Sequence, residues 1–574
     1  MKQHAQPVLW VVSILIGCLS GMGGVPAVLR AQDGDLLLND ETYRLLERID
    51  IQGRSAVPVP LEFKPLGREQ VAEILQETDA SGMNTRARAW LERARVHTDD
   101  DYATDYSRGY LKYFYRNRRD LLHYASRPVS VYLNPQLYVS LGGDAASGAT
   151  GAASTTTITY RNTRGASLRG NLFRKIGFYA DVQDNQARYP SFIGQNFGAT
   201  NTIWGEQWYK TFGTGGYDFL SGRGYLTYSP FKNLRLKFGR DRAFVGNGYQ
   251  SLLLSDNATD YLLFNIALRF NKFEYICHYT QFIDYIVNKP DAYGDYPRKW
   301  GAFHQLLYRP VPQVSIALFE STIYASQNPN GKRGFELQYL NPLMFYRTAE
   351  QYIGSPDNAM LGLNIRANFL KRFQGYAQLA IDDYNIGETL GDKPGWWGNK
   401  IGWQVGLKYI DVLGIETLDL QLEANRVRPY TYGHYNASAA YTHYNQYLAH
   451  GWGANLQDVR LVAYYQPVPG LMLEASFTRT WKGLDVKPTD NFGGNPLITN
   501  NTKNNGQPDP SYNNVVGQGS PLNLNAFHAR ISWQFWKLNA FIEAEGWLRS
   551  DNQLNSTAVA VNLRLGMPYK PARF

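Results

Sequence analysis

Nine histidines, two cysteines and 49 acidic residues are the raw material for catalysis or metal binding in this 574-residue chain, and their spacing serves neither. The sequence has no GxSxG, no HExxH and no Cys/His cluster at ligand spacing. His434 and His443 lie in a Tyr-rich stretch, and His528 is two residues from Arg530. Isolated histidines of this kind read as solvated or hydrogen-bonded groups, so the chain is expected to be a non-enzyme with no metal and no cofactor. The aromatic residues are more informative. Tyr189, Phe192, Trp204, Trp208 and Tyr209 form one cluster, Trp396 and Trp397 a second, and Tyr430, Tyr432, Tyr435, Tyr441, Tyr444, Tyr447 and Trp452 a third. Rigid aromatic faces stack on the apolar faces of sugars, while tyrosine hydroxyls, Asn and Gln bond their hydroxyl groups. These clusters are therefore candidate glycan-binding loops; the alternative is that they pack the loops on one another.

The elements that must carry these loops are strands. Leu418, Leu420, Leu422 and Ala424 alternate with Asp419, Gln421, Glu423 and Asn425, and the same period of two recurs at 401–409, 361–369 and 557–566. One face is apolar or aromatic and the other polar or small. Connections alternate in kind too. Tight ones fall at 171–175, 230–233, 271–272, 310–312, 370–372, 411–415, 467–470 and 536–537; long ones fall between them, near 185–214, 242–259, 286–298, 325–357, 385–399, 429–455 and 482–522. Short turns at one end and long loops at the other mark an outer-membrane β-barrel. Counting 335–339 as a crossing would put the tight turn at 370–372 on the long-loop side. Residues 324–357 are therefore read as one excursion, and its apolar residues Phe335, Leu337, Leu340, Leu343, Met344 and Phe345 are expected to plug the lumen or cross its mouth. Eighteen antiparallel crossings remain. Residues 130–574 supply about 25 residues for each crossing and its connection, against the roughly 9–11 that a tilted strand needs.

With that register, Arg366, Lys408, Asp419, Glu423, Glu474, Arg530, Glu543, Glu545 and Arg564 face the lumen. They either line a solute path or pair with one another across a blocked barrel. Aromatics near strand ends, such as Tyr138, Tyr228, Tyr275, Trp403, Tyr409, Trp481 and Trp533, read as interfacial girdles.

Composition agrees with a barrel. Aromatics make up 14% of the chain, glycine 53 residues, and the mean hydropathy is -0.39, with no long apolar run beyond the first thirty residues. The net charge of +9 is scattered among acidic residues, which argues against nucleic acid as a partner. Residues 1–31 have a basic start, an apolar run from Val8 to Leu19 and a cleavage point after Ala31, as a signal peptide does. The stretch around Cys18 loosely resembles a lipoprotein processing site. After cleavage at Ala31 only Cys277 remains, so no intramolecular disulfide holds the fold. Residues 32–128 read as a small periplasmic helical segment at the barrel mouth. Asn39 is placed to cap a first helix; Val71, Ile74 and Leu75 belong to a second and Ala87, Trp90, Leu91 and Ala94 to a third. The basic, aromatic stretch 105–124 is expected to be a helix docked on the rim or touching acidic headgroups.

GRDRAFVGNGYQSLLLSDNATDYLLFNI at 239–266, RGFELQYLNPLMFYR at 333–347 and the closing LRLGM at 563–567 resemble the Wzi family of capsule assembly proteins, in the longer form found in Bacteroidetes-type bacteria. The resemblance implies a plugged outer-membrane barrel that holds capsular or other surface polysaccharide as a lectin does, with a periplasmic N-terminal segment, extracellular long loops, lipid and lipopolysaccharide around it, and a monomeric state. Two other readings stay open: a channel for solutes or oligosaccharides, and a scaffold for an envelope assembly or secretion machine.

Overall fold

The computed structural model describes residues 34–100, 115, 119–126, 128–148, 155–194, 202–284, 294, 296–328, 331–344, 346–354, 357–506, 508–535 and 539–569. The signal-peptide region with Cys18, most of 105–124, the turn at 536–537, Phe345 and Phe574 lie outside them.

Eighteen antiparallel strands close into a barrel. They are β1 (Val129–Gly148), β2 (Thr155–Leu172), β3 (Ile176–Arg188), β4 (Gly216–Phe231), β5 (Leu234–Asp241), β6 (Tyr261–Phe270), β7 (Phe273–Ile283), β8 (Arg298–Val311), β9 (Val314–Ala325), β10 (Asn358–Phe369), β11 (Phe373–Asp383), β12 (Lys400–Tyr409), β13 (Leu418–Val427), β14 (Leu456–Val468), β15 (Leu471–Leu484), β16 (Ser520–Gln534), β17 (Ala540–Ser550) and β18 (Leu554–Leu565). Closure is made by β18 against β1, with Val561 opposite Leu141 and Leu565 opposite Leu137. Every wall strand thus has two partners, and no edge is left with unpaired amides.

Period-two alternation sorts the side chains. In β18, Val559, Val561 and Leu563 point outward and are exposed, whereas Ala558, Ala560, Asn562 and Arg564 point inward and are buried. The outward band of Leu, Val, Ile and Phe is what a lipid bilayer requires of a strand-built span. Among the described residues no helix is long and apolar enough to cross a membrane. The tight turns need a left-handed backbone, and two of them obtain it without glycine: Phe173 and Arg174 join β2 to β3 at φ 54° and 56°, and Leu370 and Lys371 join β10 to β11 at 54° and 53°.

Among the described residues three helices precede the wall: α1 (Thr42–Gln52), α2 (Arg68–Gln76) and α3 (Thr85–Thr98). Their apolar faces meet in a small core that includes Leu45, Leu46, Ile49, Val71, Ile74, Leu75, Trp90 and Leu91. Asn84 caps α3 by accepting from the Ala87 amide at 2.7 Å. Asn39 does not cap α1. Its backbone is left-handed at φ 65°, Asp40 accepts from the Thr42 amide instead, and the Asn39 amide reaches Asp256 at 3.3 Å. Leu122–Ala125 is a strand paired with β1, not the end of a helix.

The polar faces of this segment enter the short-turn half of the lumen and meet its charges. Arg366 is paired with Asp50 and, at 3.0 Å, with Glu62; Lys408 with Glu47 at 2.8 Å; Asp419 with Arg48; Lys237 with Asp35 at 2.7 Å. Burial works against the Glu62 carboxylate, but Arg366 and Arg309 outweigh it and hold its pKa at about 2. Lys64 has a weaker counter-charge: burial lowers its pKa to about 8, with Glu47 opposing.

In the other half, the interior beside β7–β13 is apolar. Residues 242–260, between β5 and β6, turn inward and bury Leu252, Leu253 and Leu254 against Phe282, Phe303, Phe319, Ile323, Met360 and Val427 of the wall. Wall amides and carboxylates hold the backbone of this plug. Gln378 accepts from the Leu252 amide at 2.9 Å and donates to the Val245 carbonyl at 3.0 Å. Glu423 accepts from the amides of Tyr249 and Gln250. Inward-facing Gly362 makes room for it, since a Cβ there would stand 2.5 Å from a Leu253 methyl.

The excursion between β9 and β10 corrects one expectation. It leaves the wall, as strand parity requires, yet it does not enter the lumen. It folds back over the outer face of β7–β9, placing Tyr339 and Tyr346 on outward-facing Cys277, Tyr279, Ala302 and Tyr324. A helix, α4 (Tyr346–Ile353), begins there. The Tyr346 amide donates to Glu320 at 3.1 Å and its hydroxyl bonds His304 at 2.9 Å, while His304 bonds Glu320 at 3.0 Å. The physical reason is on both faces of the wall. The inner face of β7–β9 is already filled by the plug, and the outer face carries an imidazole and a carboxylate that need cover. Phe335, Leu337, Leu340 and Leu343 are consequently outside the lumen and exposed, Phe335 with its ring beside Trp300 and Tyr324 of the outer face, and Met344 is half-buried.

Candidate functional site

The wall's long-loop end presents the three aromatic clusters, and burial separates them. In the Tyr-rich loop, Tyr430, Tyr432 and Tyr444 are buried, which removes them from any glycan surface. Their packing explains this. The Tyr432 and Tyr441 hydroxyls donate to the carbonyls of Leu252 and Leu253 at 2.9 and 2.7 Å, so the loop is a cap on the plug. The Tyr430 hydroxyl donates to the Asn491 carbonyl and ties the cap to the long 485–519 loop. Asn455, Asn491 and Asn500 fix that loop through side-chain bonds to backbone carbonyls. Tyr435 stays exposed beside His434.

His443 accepts the Ile283 amide at 3.0 Å. Burial lowers its pKa to about 3, and that of His434 to about 4. Both are therefore neutral packing groups at physiological pH.

Trp396 and Trp397 are half-buried, 6.0 Å apart. Trp397 stands edge-on to Tyr430 and carries the Lys503 ammonium 4.2 Å from its ring centre. Trp208 is exposed, and Tyr209 packs edge-on against Tyr217. Trp204 meets Trp452 edge-on at 6.4 Å. The predicted residues thus divide into a plug cap and two partly open aromatic patches.

The nine predicted lumen charges all sit on the inner face, engaged by partners. Besides the pairs above, Arg530 bridges Glu474 and Glu543 at 3.0 and 2.8 Å, Arg564 bonds Glu543 at 2.9 Å, and Glu545 accepts from Tyr569 at 2.7 Å and Asn562 at 2.6 Å.

Space remains along β1–β4 and β17–β18, beside the polar ends of the plug segment, whose Arg242, Asp256 and Asn257 line part of it. One cavity of about 130 Å³ lies toward the short-turn end among Arg68, His97, Arg119 and Arg169; a second of about 200 Å³ lies under the 189–209 loop. The two share Asn39, Pro568 and Tyr569 as lining. The tail after β18 therefore bends inward and forms the partition between them. Of the predicted glycan residues, Tyr189 and Trp204 line the upper cavity. Sequence reasoning missed Tyr138, Arg161, Arg188, Glu206, Trp547 and Tyr569, which line it with them. Tyr138, expected in the girdle, faces inward. The signal for Arg161 and Trp547 was in the alternation itself, since each stands on the inward register of its strand.

No protein-family model matches the chain, and no curated protein sequence matches it. Among solved structures the chain is similar to Wzi of Escherichia coli, an outer-membrane protein involved in group 1 capsule assembly, described as a carbohydrate-binding β-barrel. The TM-score is 0.56 at 14% identity, covering 94% of this chain and 100% of that one. The likeness is one of fold. OprD of Pseudomonas aeruginosa aligns over 76% of this chain and 95% of its own, at 10% identity and a TM-score of 0.40.

Proposed function

We propose that this chain is an outer-membrane, carbohydrate-binding platform of the Wzi kind, which attaches or organises surface polysaccharide without turning it over. In this reading the short turns face the periplasm and the long loops face outward. The observation that carries it is the filled lumen. Of the nine inward charges that could have served a solute path, eight are engaged by the N-terminal segment, the plug or one another and Glu545 by Tyr569 and Asn562, and the loops above are braced as a rigid display surface. Likeness in fold to a carbohydrate-binding barrel over 94% of this chain supports the same reading, as do the open aromatic patches at Trp208, Trp396 and Trp397.

The test is binding and transport on one preparation. Purified protein should retain surface polysaccharide extracted from the source cells and show no steady conductance in planar bilayers. Conductance without polysaccharide binding sinks the proposal. In cells, deleting the gene should shift capsular material from the surface to the medium.

A further inference from the structure

The upper cavity has the chemistry of a sugar site but not of an acidic one. Arg223 is held by Asp181 at 2.7 Å and Arg242 by Asp260 at 2.6 Å. That leaves Arg161 and Arg188 facing Glu206, Glu545 and Asp256 across the same space. Positive charge is not in excess, so an incoming carboxylate would find as much repulsion as attraction. What the lining offers instead is alternating donors and acceptors between aromatic walls, the pattern that suits vicinal hydroxyl groups on a ring.

Two donors are unengaged. Arg188 has no hydrogen bond or ion pair among the described residues. The buried Trp547 indole Nε1 finds no acceptor among them either. Among the described residues Arg161 donates to neutral oxygens, Thr163 Oγ1 at 3.1 Å and Asn185 Oδ1 at 3.3 Å.

The floor is lined from two distant parts of the chain. Leu38 and Asn39 of the N-terminal segment and Pro568 and Tyr569 of the tail form it. Tyr569 is pinned by its bond to Glu545 and by the Arg530 guanidinium 3.9 Å from its ring centre. The half-buried Arg188 and Tyr160 stand at the upper, long-loop side. A volume of about 200 Å³ suits one sugar residue, presented as a chain end or a side branch.

We propose that this cavity is a subsite for a single uncharged, hydroxyl-rich sugar residue, entered end-on from the long-loop side. Arg188 and Trp547 bond its hydroxyl groups, and Tyr189 and Trp204 flank its ring. The proposal rests on the glycan-binding reading above and makes it specific.

The experiment is calorimetric titration of the full-length protein in detergent with the methyl glycosides of glucose, galactose, mannose and N-acetylglucosamine. Methyl glucuronide serves as the charged comparison, and extracted surface polysaccharide is titrated in parallel. At least one neutral glycoside should bind saturably, more tightly than the glucuronide, and compete with the polysaccharide. Arg188→Ala should weaken that binding about 10-fold, as expected for loss of a charged hydrogen bond, and Trp547→Phe should weaken it less. Heat-modifiable gel mobility establishes that each variant is folded, and Arg188, with no bond to lose, keeps the test open if Trp547→Phe misfolds. Binding of polysaccharide with no saturable neutral glycoside, a preference for the glucuronide, or unchanged affinity in Arg188→Ala overturns the subsite alone. Failure of the polysaccharide itself to bind overturns the glycan reading beneath it.

Discussion

The two sides of this barrel's interior are built from one kind of strand and end in opposite states. Along β7–β13 the inward positions toward the long-loop end include Phe282, Phe303, Phe319, Ile323, Met360 and Val427, and a three-leucine plug fills the space between them. Along β1–β3 and β17 the inward positions include Tyr138, Arg161, Asp181, Glu545 and Trp547, and the interior there keeps cavities. Apolar inward residues are stable only if something dry covers them, whereas polar inward residues tolerate solvent or a polar ligand. Occlusion is thus uneven around the wall: the apolar side is closed by the plug, and the polar side keeps its cavities.

The largest effect should come from breaking the dry side. Leu253→Asp places an unpaired charge where Leu253 is 0% exposed. It should prevent assembly of a heat-modifiable barrel, because such burial costs at least several kcal/mol. Next is Arg366→Ala, which leaves Glu62 and Asp50 buried without their shared cation. Urea unfolding in detergent should show a loss of about 3–5 kcal/mol, and replacing all three residues by apolar ones of similar size should recover most of it.

Acid acts on both halves in one direction. The folded pKa values of His434 and His443, about 4 and about 3, lie below the ordinary 6.5, so their contribution is full above pH 6.5 and is lost as pH falls through those values. Glu62 and Asp40, each held at about 2, lose theirs only below the ordinary carboxylate range. Unfolding midpoints should therefore drop first between pH 6.5 and 4, and His443→Gln should flatten that part of the profile. A smaller effect is expected on the outer face, where Tyr346→Phe removes one buried hydrogen bond to His304 and should cost about 1 kcal/mol. Trp208→Ala touches neither side of the lumen and should shift the unfolding free energy by less than about 0.5 kcal/mol.

Strand number, the inward or outward sense of the wall and the alternation of turns with loops were legible in the chain, because a period of two and the need to close a sheet act locally and uniformly. So was the parity that excludes 335–339 from the wall. The side to which that excursion folds was not legible, since its apolar residues suit a lumen and a lipid-facing surface equally well. Only the tertiary structure decided it, by filling the lumen with 242–260 and leaving His304 and Glu320 to be covered from outside. The fate of the tyrosines was decided in the same way. Tyr432 and Tyr441 look like sugar platforms until the Leu252 and Leu253 carbonyls arrive from nearly two hundred residues upstream. The cavity beside Arg188 exists because distant segments, the N-terminal stretch and the C-terminal tail, form its floor. No local pattern records such a convergence.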